Sequence, residues 1–71
     1  MDTEQLINHS IELFLRTSKI QPSASDSYIK TEAGKDYVVL RNVNGVLAVY
    51  SINDNDYLRP LKNIPDWAEK N

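Results

Sequence analysis

Apolar positions along the chain follow two different periods. Over 3–18, Leu6, Ile7, Ile11, Phe14 and Leu15 recur at helical spacing, with Leu13 on the flank. Gln5, Asn8, His9, Glu12, Arg16 and Lys19 fall on the other side. Asp2 is a suitable N-cap, and Gln5 three positions later completes a capping-box pair. The pattern predicts an amphipathic helix over 3–18. Its apolar arc is wider than one sheet contact needs, which points to a second contact, such as another chain.

The stretch 19–27 breaks this period. It is a polar connector rich in Pro and Ser, containing Gln21-Pro22-Ser23-Ala24-Ser25-Asp26-Ser27. From Tyr28 the period becomes two. Ala33-Gly34, Asn44-Gly45 and Asp54-Asn55 punctuate four expected strands, at 28–32, 36–43, 46–52 and 57–59. Asn44-Gly45 suits a two-residue type I′ turn, which needs positive φ at both central positions. Pro60 removes a ladder donor and confines the last strand to an edge. Pro65 and Asp66 open a short terminal helix over 65–70. The expected fold is α+β: one domain over 1–71, with an N-terminal helix on a four-stranded antiparallel meander and a short C-terminal helix.

The turns imply a register, and the register sorts side chains between faces. With these loops, Tyr28 opposes Val39, Lys30 opposes Tyr37, Val39 opposes Tyr50, Arg41 opposes Ala48 and Tyr50 opposes Arg59. One face then carries Ile29, Val38, Leu40, Leu47, Val49 and Leu58, the expected core beneath the helix. The other gathers Tyr28, Tyr37, Tyr50 and Tyr57 with Lys30, Arg41 and Arg59. Tyrosine and arginine are enriched at binding hot spots, and an aromatic outer face departs from ordinary polar alternation. Tyrosines also simply suit pleated sheets, and the terminal helix with Trp67 could fold back over part of this face.

Composition narrows the function classes. A chain of 71 residues buries only about 60% of its unfolded surface, so a second copy would help stabilise it. There is no cysteine, which excludes disulfides and cysteine zinc sites and fits a cytoplasmic setting. The polar start, Met1 to Leu6, does not resemble a signal peptide, and no apolar run has membrane-spanning length. A net charge of -2 argues against a general duplex-DNA binder.

Little in the chain suggests catalysis. His9 is the sole histidine and sits on the polar helix face, without an evident pocket or partner group. Asn53-Asp54-Asn55-Asp56 lacks the glycine and closing glutamate of a calcium loop. Gly34 and Gly45 both sit in turns, which leaves no phosphate-binding loop. We therefore expect no catalytic residue, no metal and no cofactor. The expected function is a small protein-interaction module, an adaptor, inhibitor or accessory subunit, using Tyr37, Tyr50, Tyr57, Arg41 and Arg59. A homodimer is expected. The alternative is single-stranded nucleic acid, with bases stacking on the sheet aromatics.

The run from Tyr37 to Tyr50, YVVLRNVNGVLAVY, resembles a segment of short uncharacterised proteins of cyanobacteria. The resemblance covers about the central fifth of the chain. It implies an N-terminal helix followed by a small sheet, and no activity.

Overall fold

The computed structural model describes residues 2–69. Helix α1 spans Thr3–Leu15. Four strands follow, β1 (Ser23–Glu32), β2 (Lys35–Asn42), β3 (Gly45–Ile52) and β4 (Leu58–Pro60), and then the short helix α2 (Asp66–Glu69). The strands form one antiparallel sheet in the order β1-β2-β3-β4. The expected α+β architecture is observed. The expected end of the terminal helix, at 70, lies outside the described residues.

The capping box forms as anticipated. Gln5 N–H donates to Asp2 Oδ1 at 2.8 Å, and Asp2 N–H donates to Gln5 Oε1 at 3.2 Å. Two helix N–H groups with no intrahelical acceptor are thereby satisfied. The helix stops three residues before the expected end. Thr17 N–H and its hydroxyl both turn back to Phe14 O, and Ser18 Oγ accepts from Ile20 N–H. Such short hydroxyl side chains compete with the helical ladder.

The connector is not a free loop. The strand begins at Ser23, and between Ser23 and Tyr28 it departs from regular pairing. Ser27, buried, bridges the gap: its Oγ accepts from Arg41 N–H at 3.0 Å and donates to Ser23 O at 2.8 Å. A hydroxyl thus ties the two strands together across the irregular stretch.

The first hairpin keeps the expected register, Tyr28 opposite Val39 and Lys30 opposite Tyr37. Ala33 (φ 53) and Gly34 (φ 79) both take the left-handed region that a type I′ turn requires. The second hairpin corrects the expectation. Its turn is Val43-Asn44, because Asn42 pairs with Gly45. Asn42 Oδ1 accepts from Asn44 N–H at 2.8 Å, an Asx-type closure that competes with the I′ turn. Gly45 alone takes positive φ, at 120. Arg41 then pairs with Val46 and Leu40 with Ala48, leaving Leu47 as a bulged extra residue.

The consequence is a one-residue slip, which exchanges the faces of β3. Val38 pairs with Tyr50 and Val39 with Val49, not Val39 with Tyr50. Tyr50 therefore joins the helix-side core with Leu6, Ile7, Val38, Leu40 and Leu58, while Val49 moves to the opposite side. The third connection slips by one as well, pairing Ile52 with Leu58 and Ser51 with Arg59 across a loop of 53–57. The two slips cancel, so Leu58 and Arg59 still reach the faces assigned to them.

The second face is covered. Leu61, Ile64, Trp67 and Ala68 pack against Val39, Val49, Tyr28, Tyr37 and Val46. Leu61 N–H donates to Val49 O at 3.0 Å, continuing the sheet contact one residue past β4. The sheet thus lies between α1 and a C-terminal strap over 61–69. No helix among the described residues is long and apolar enough to cross a membrane.

Candidate functional site

An antiparallel meander puts alternate connections at the same end. Here the 33–34 turn and the 53–57 loop share one end of the sheet, and the 43–44 turn lies at the other. The 53–57 loop closes on itself. Asn53 N–H donates to Tyr57 O and Asp56 N–H to Asn53 O, each at 2.9 Å, with Asp56 at φ 60. The next residue, Leu58, is anchored in the core. Closure of the loop followed by this anchor leaves the Tyr57 side chain outside, 65% exposed.

Two open clefts of about 700 Å³ each flank the loop. The first runs between the loop and α1, with His9 and Leu13 on the helix wall and Tyr57 and Leu58 opposite. His9 Nδ1 lies 4.0 Å from the Glu12 carboxylate on the same helix. The second runs between the loop and the first hairpin, lined by Lys35, Asp36, Tyr37, Asp54 and Arg59 among others. Its charges are mixed, two cations beside three carboxylates when Asp56 is included. Among the described residues no group of three or more His, Cys, Asp or Glu side chains is placed to hold a metal ion.

The five residues expected to form one contact face are divided. Tyr37 and Arg59 line the second cleft, and Tyr57 stands on the wall of the first. Tyr37 is half-buried, its ring centroid 5.1 Å from that of Trp67 at an interplanar angle of 52°. Arg41 is half-buried and four residues along β2 from Tyr37, about 13 Å at strand spacing. Tyr50 leaves the group altogether. It lies under α1 at 6% exposure, and burial pushes its phenol above the ordinary tyrosine range. Tyr28 sits under the strap, its buried hydroxyl without a hydrogen-bond partner among the described residues.

A continuous four-tyrosine platform is therefore absent. The anticipated outer face is instead a second core, and the exposed aromatic surface concentrates at Tyr57. The sequence reading missed His9 as a companion of Tyr57 in the first cleft, and Lys35 and Asp36 as companions of Arg59 in the second. The shared end of the 33–34 and 53–57 connections was the available signal, since it follows from meander topology alone. Comparison of the chain with protein-family models, with curated proteins and with solved structures finds no match.

Proposed function

We propose that the chain is a small non-catalytic protein-interaction module whose contact site is the sheet end around the 53–57 loop. One observation carries this reading: Tyr57, a large aromatic 65% exposed, stands on the wall of the first cleft, and the exposed Arg59 lines the second, on the other side of the 53–57 loop. Tyrosine and arginine supply most hot-spot energy when a partner excludes water around them. A protein partner filling the first cleft would bury the Tyr57 ring and leave its hydroxyl free to bond. Tyr37, held by Trp67, would give the second cleft a rigid wall. The proposal places the module in the cytoplasm, in keeping with a chain that has no cysteine.

The test is capture and quantification of partner proteins with wild-type chain, Tyr57→Ala, Arg59→Ala and a Val43→Ala control. Val43 is 93% exposed at the opposite end of the sheet. A partner held by the site binds Tyr57→Ala at least about tenfold more weakly, equivalent to about 1.4 kcal/mol, and binds Val43→Ala normally. Equal capture by all four folded proteins removes this site from the reading. Capture of an oligonucleotide, with affinity falling steeply as salt rises, would favour nucleic acid instead.

A further inference from the structure

The two sides of the sheet are held in unequal ways. On the helix side, Leu6 and Ile7 are buried against Val38, Leu40, Tyr50 and Leu58. On the other side, Leu61, Ile64 and Trp67 of the strap are each half-buried, and Ala68 alone is fully buried. One backbone hydrogen bond ties the strap to the sheet among the described residues, from Leu61 N–H to Val49 O. Helix α2 is a single turn, closed by Ala68 N–H and Glu69 N–H on Pro65 O at 3.0 and 3.4 Å. The two cores share no residue, so lifting the strap leaves the packing beneath α1 in place. Under the strap, the buried Tyr28 hydroxyl has no partner among the described residues. A buried hydroxyl left unpaired disfavours the closed form, because water satisfies it as soon as the cover lifts.

We propose that the strap over 61–69 is a latch, which opens as one unit while α1 and the sheet stay folded, and whose opening dismantles the second cleft. Proteins open in cooperative pieces, and the piece with the fewest buried contacts opens most easily. The latch and the cleft share residues. Leu61 is part of the second cleft's wall, and Tyr37, another part, rests its ring 5.1 Å from that of Trp67. Lifting the strap takes Leu61 out of the wall and removes the neighbour that positions Tyr37. The first cleft contains no strap residue, so Tyr57 keeps its surroundings in both states. The latch thus divides the sheet end into a permanent cleft and one that exists only in the closed form. A ligand seated in the second cleft binds the closed form alone and holds the strap down by linkage. The unpaired Tyr28 hydroxyl sets the balance, since it is satisfied only when the latch is open.

Native-state hydrogen exchange on the full chain tests this, residue by residue. The amides of Leu61 and Ala68 are both hydrogen-bonded in the closed form, so each exchanges only when the strap lifts. They should exchange with the same opening constant, at least about tenfold faster than the slowest amides of β2 and β3. Tyr28→Phe removes the unpaired hydroxyl and should slow both at least about fivefold. Tyr37→Phe, under the same strap, is the control for a more apolar ring and should slow them less. Exchange of Leu61 and Ala68 no faster than the slowest strand amides overturns the proposal, since the strap then opens only with the whole fold. Unequal opening constants for the two amides overturn it as well, because the strap then frays and does not move as a unit. A Tyr28→Phe rate equal to or faster than wild type also overturns it. The wild-type comparison decides by itself if the variant fails to fold. These measurements use the chain alone, so none of them bears on whether a partner binds at Tyr57.

Discussion

The hydroxyl of Ser27 does the work of a strand residue, accepting from Arg41 N–H where β1 departs from regular pairing. Ser27→Ala removes this bond and the hydroxyl's own bond to Ser23 O, and the expected cost of the two is about 1–3 kcal/mol, read as a lower urea midpoint at unchanged slope. Tyr50 makes a second prediction at this scale. Burial raises its phenol pKa in the folded state. As pH rises past about 10, the unfolded chain loses this proton first, so the folded state holds more protons and stability falls. The contribution is fully present below the unfolded pKa and is lost as pH climbs through the folded one. Denaturation midpoints between pH 8 and about 11 should decline for the wild type, and Tyr50→Phe should decline less. An identical alkaline decline in both proteins would show that other groups control it. Neither residue's role is visible from local pattern. Ser27 reads as loop, and Tyr50 reads as outward-facing until the register is known.

Among the elements, the two tight hairpins invert ordinary expectation. Ala33-Gly34 is the poorer sequence for a type I′ turn, yet its register is the one that local reasoning obtains. Ala33 accepts φ 53, a conformation that costs a residue with a Cβ about 1–2 kcal/mol. Ala33→Gly should recover about 0.5–1 kcal/mol of this, offset in part by greater freedom in the unfolded chain, and raise the thermal midpoint. A lower midpoint would mean that the unfolded-state entropy outweighs the strain. Asn44-Gly45 is the better turn sequence, yet the chain turns one residue earlier. Asn42 closes on Asn44, Gly45 takes the positive φ, and the bulge at Leu47 resets the pairing. This alternative buries Tyr50 and Val49 on opposite faces, one under α1 and one under the strap. Helix α1 is the simpler case, since its capping box and apolar period are local and both form.

At the scale of the molecule, the sheet is covered on both sides by elements with little stability of their own. The strap is nine residues with a four-residue helix, too short to persist alone. Its contribution comes from Leu61, Ile64, Trp67 and Ala68 against Val39 and Val49, which are 0% and 2% exposed. Trp67→Ala should cost about 2–3 kcal/mol, less than for a fully buried indole, and should leave Tyr37 more exposed. In a domain of this size that is a large part of the total, so the variant should show a clearly lower denaturation midpoint. A midpoint within error of wild type would mean that the strap contributes little to the cover. Exposure of Tyr57 is likewise a property of the whole. It depends on loop closure at 53–57, on the Leu58 anchor and on the shared end of two connections.

The amino-acid sequence by itself determined the order of elements, the capped helix, the antiparallel meander and the first hairpin. Each depends on periodicity or turn chemistry within a few residues. It also placed Val38, Leu40, Ile29 and Leu58 on the core side. Tertiary structure decided which face of β3 is which, because a strand's two faces differ by one residue of register and neither Asn44-Gly45 nor local alternation resolves that step. The choice was made by what could be buried. With α1 on one side and the strap on the other, both faces of the central strands are core, and a tyrosine on β3 fits beneath the helix. That same double cover dismantled the expected four-tyrosine surface and left Tyr57 and Arg59, at the end of the sheet, as the exposed pair.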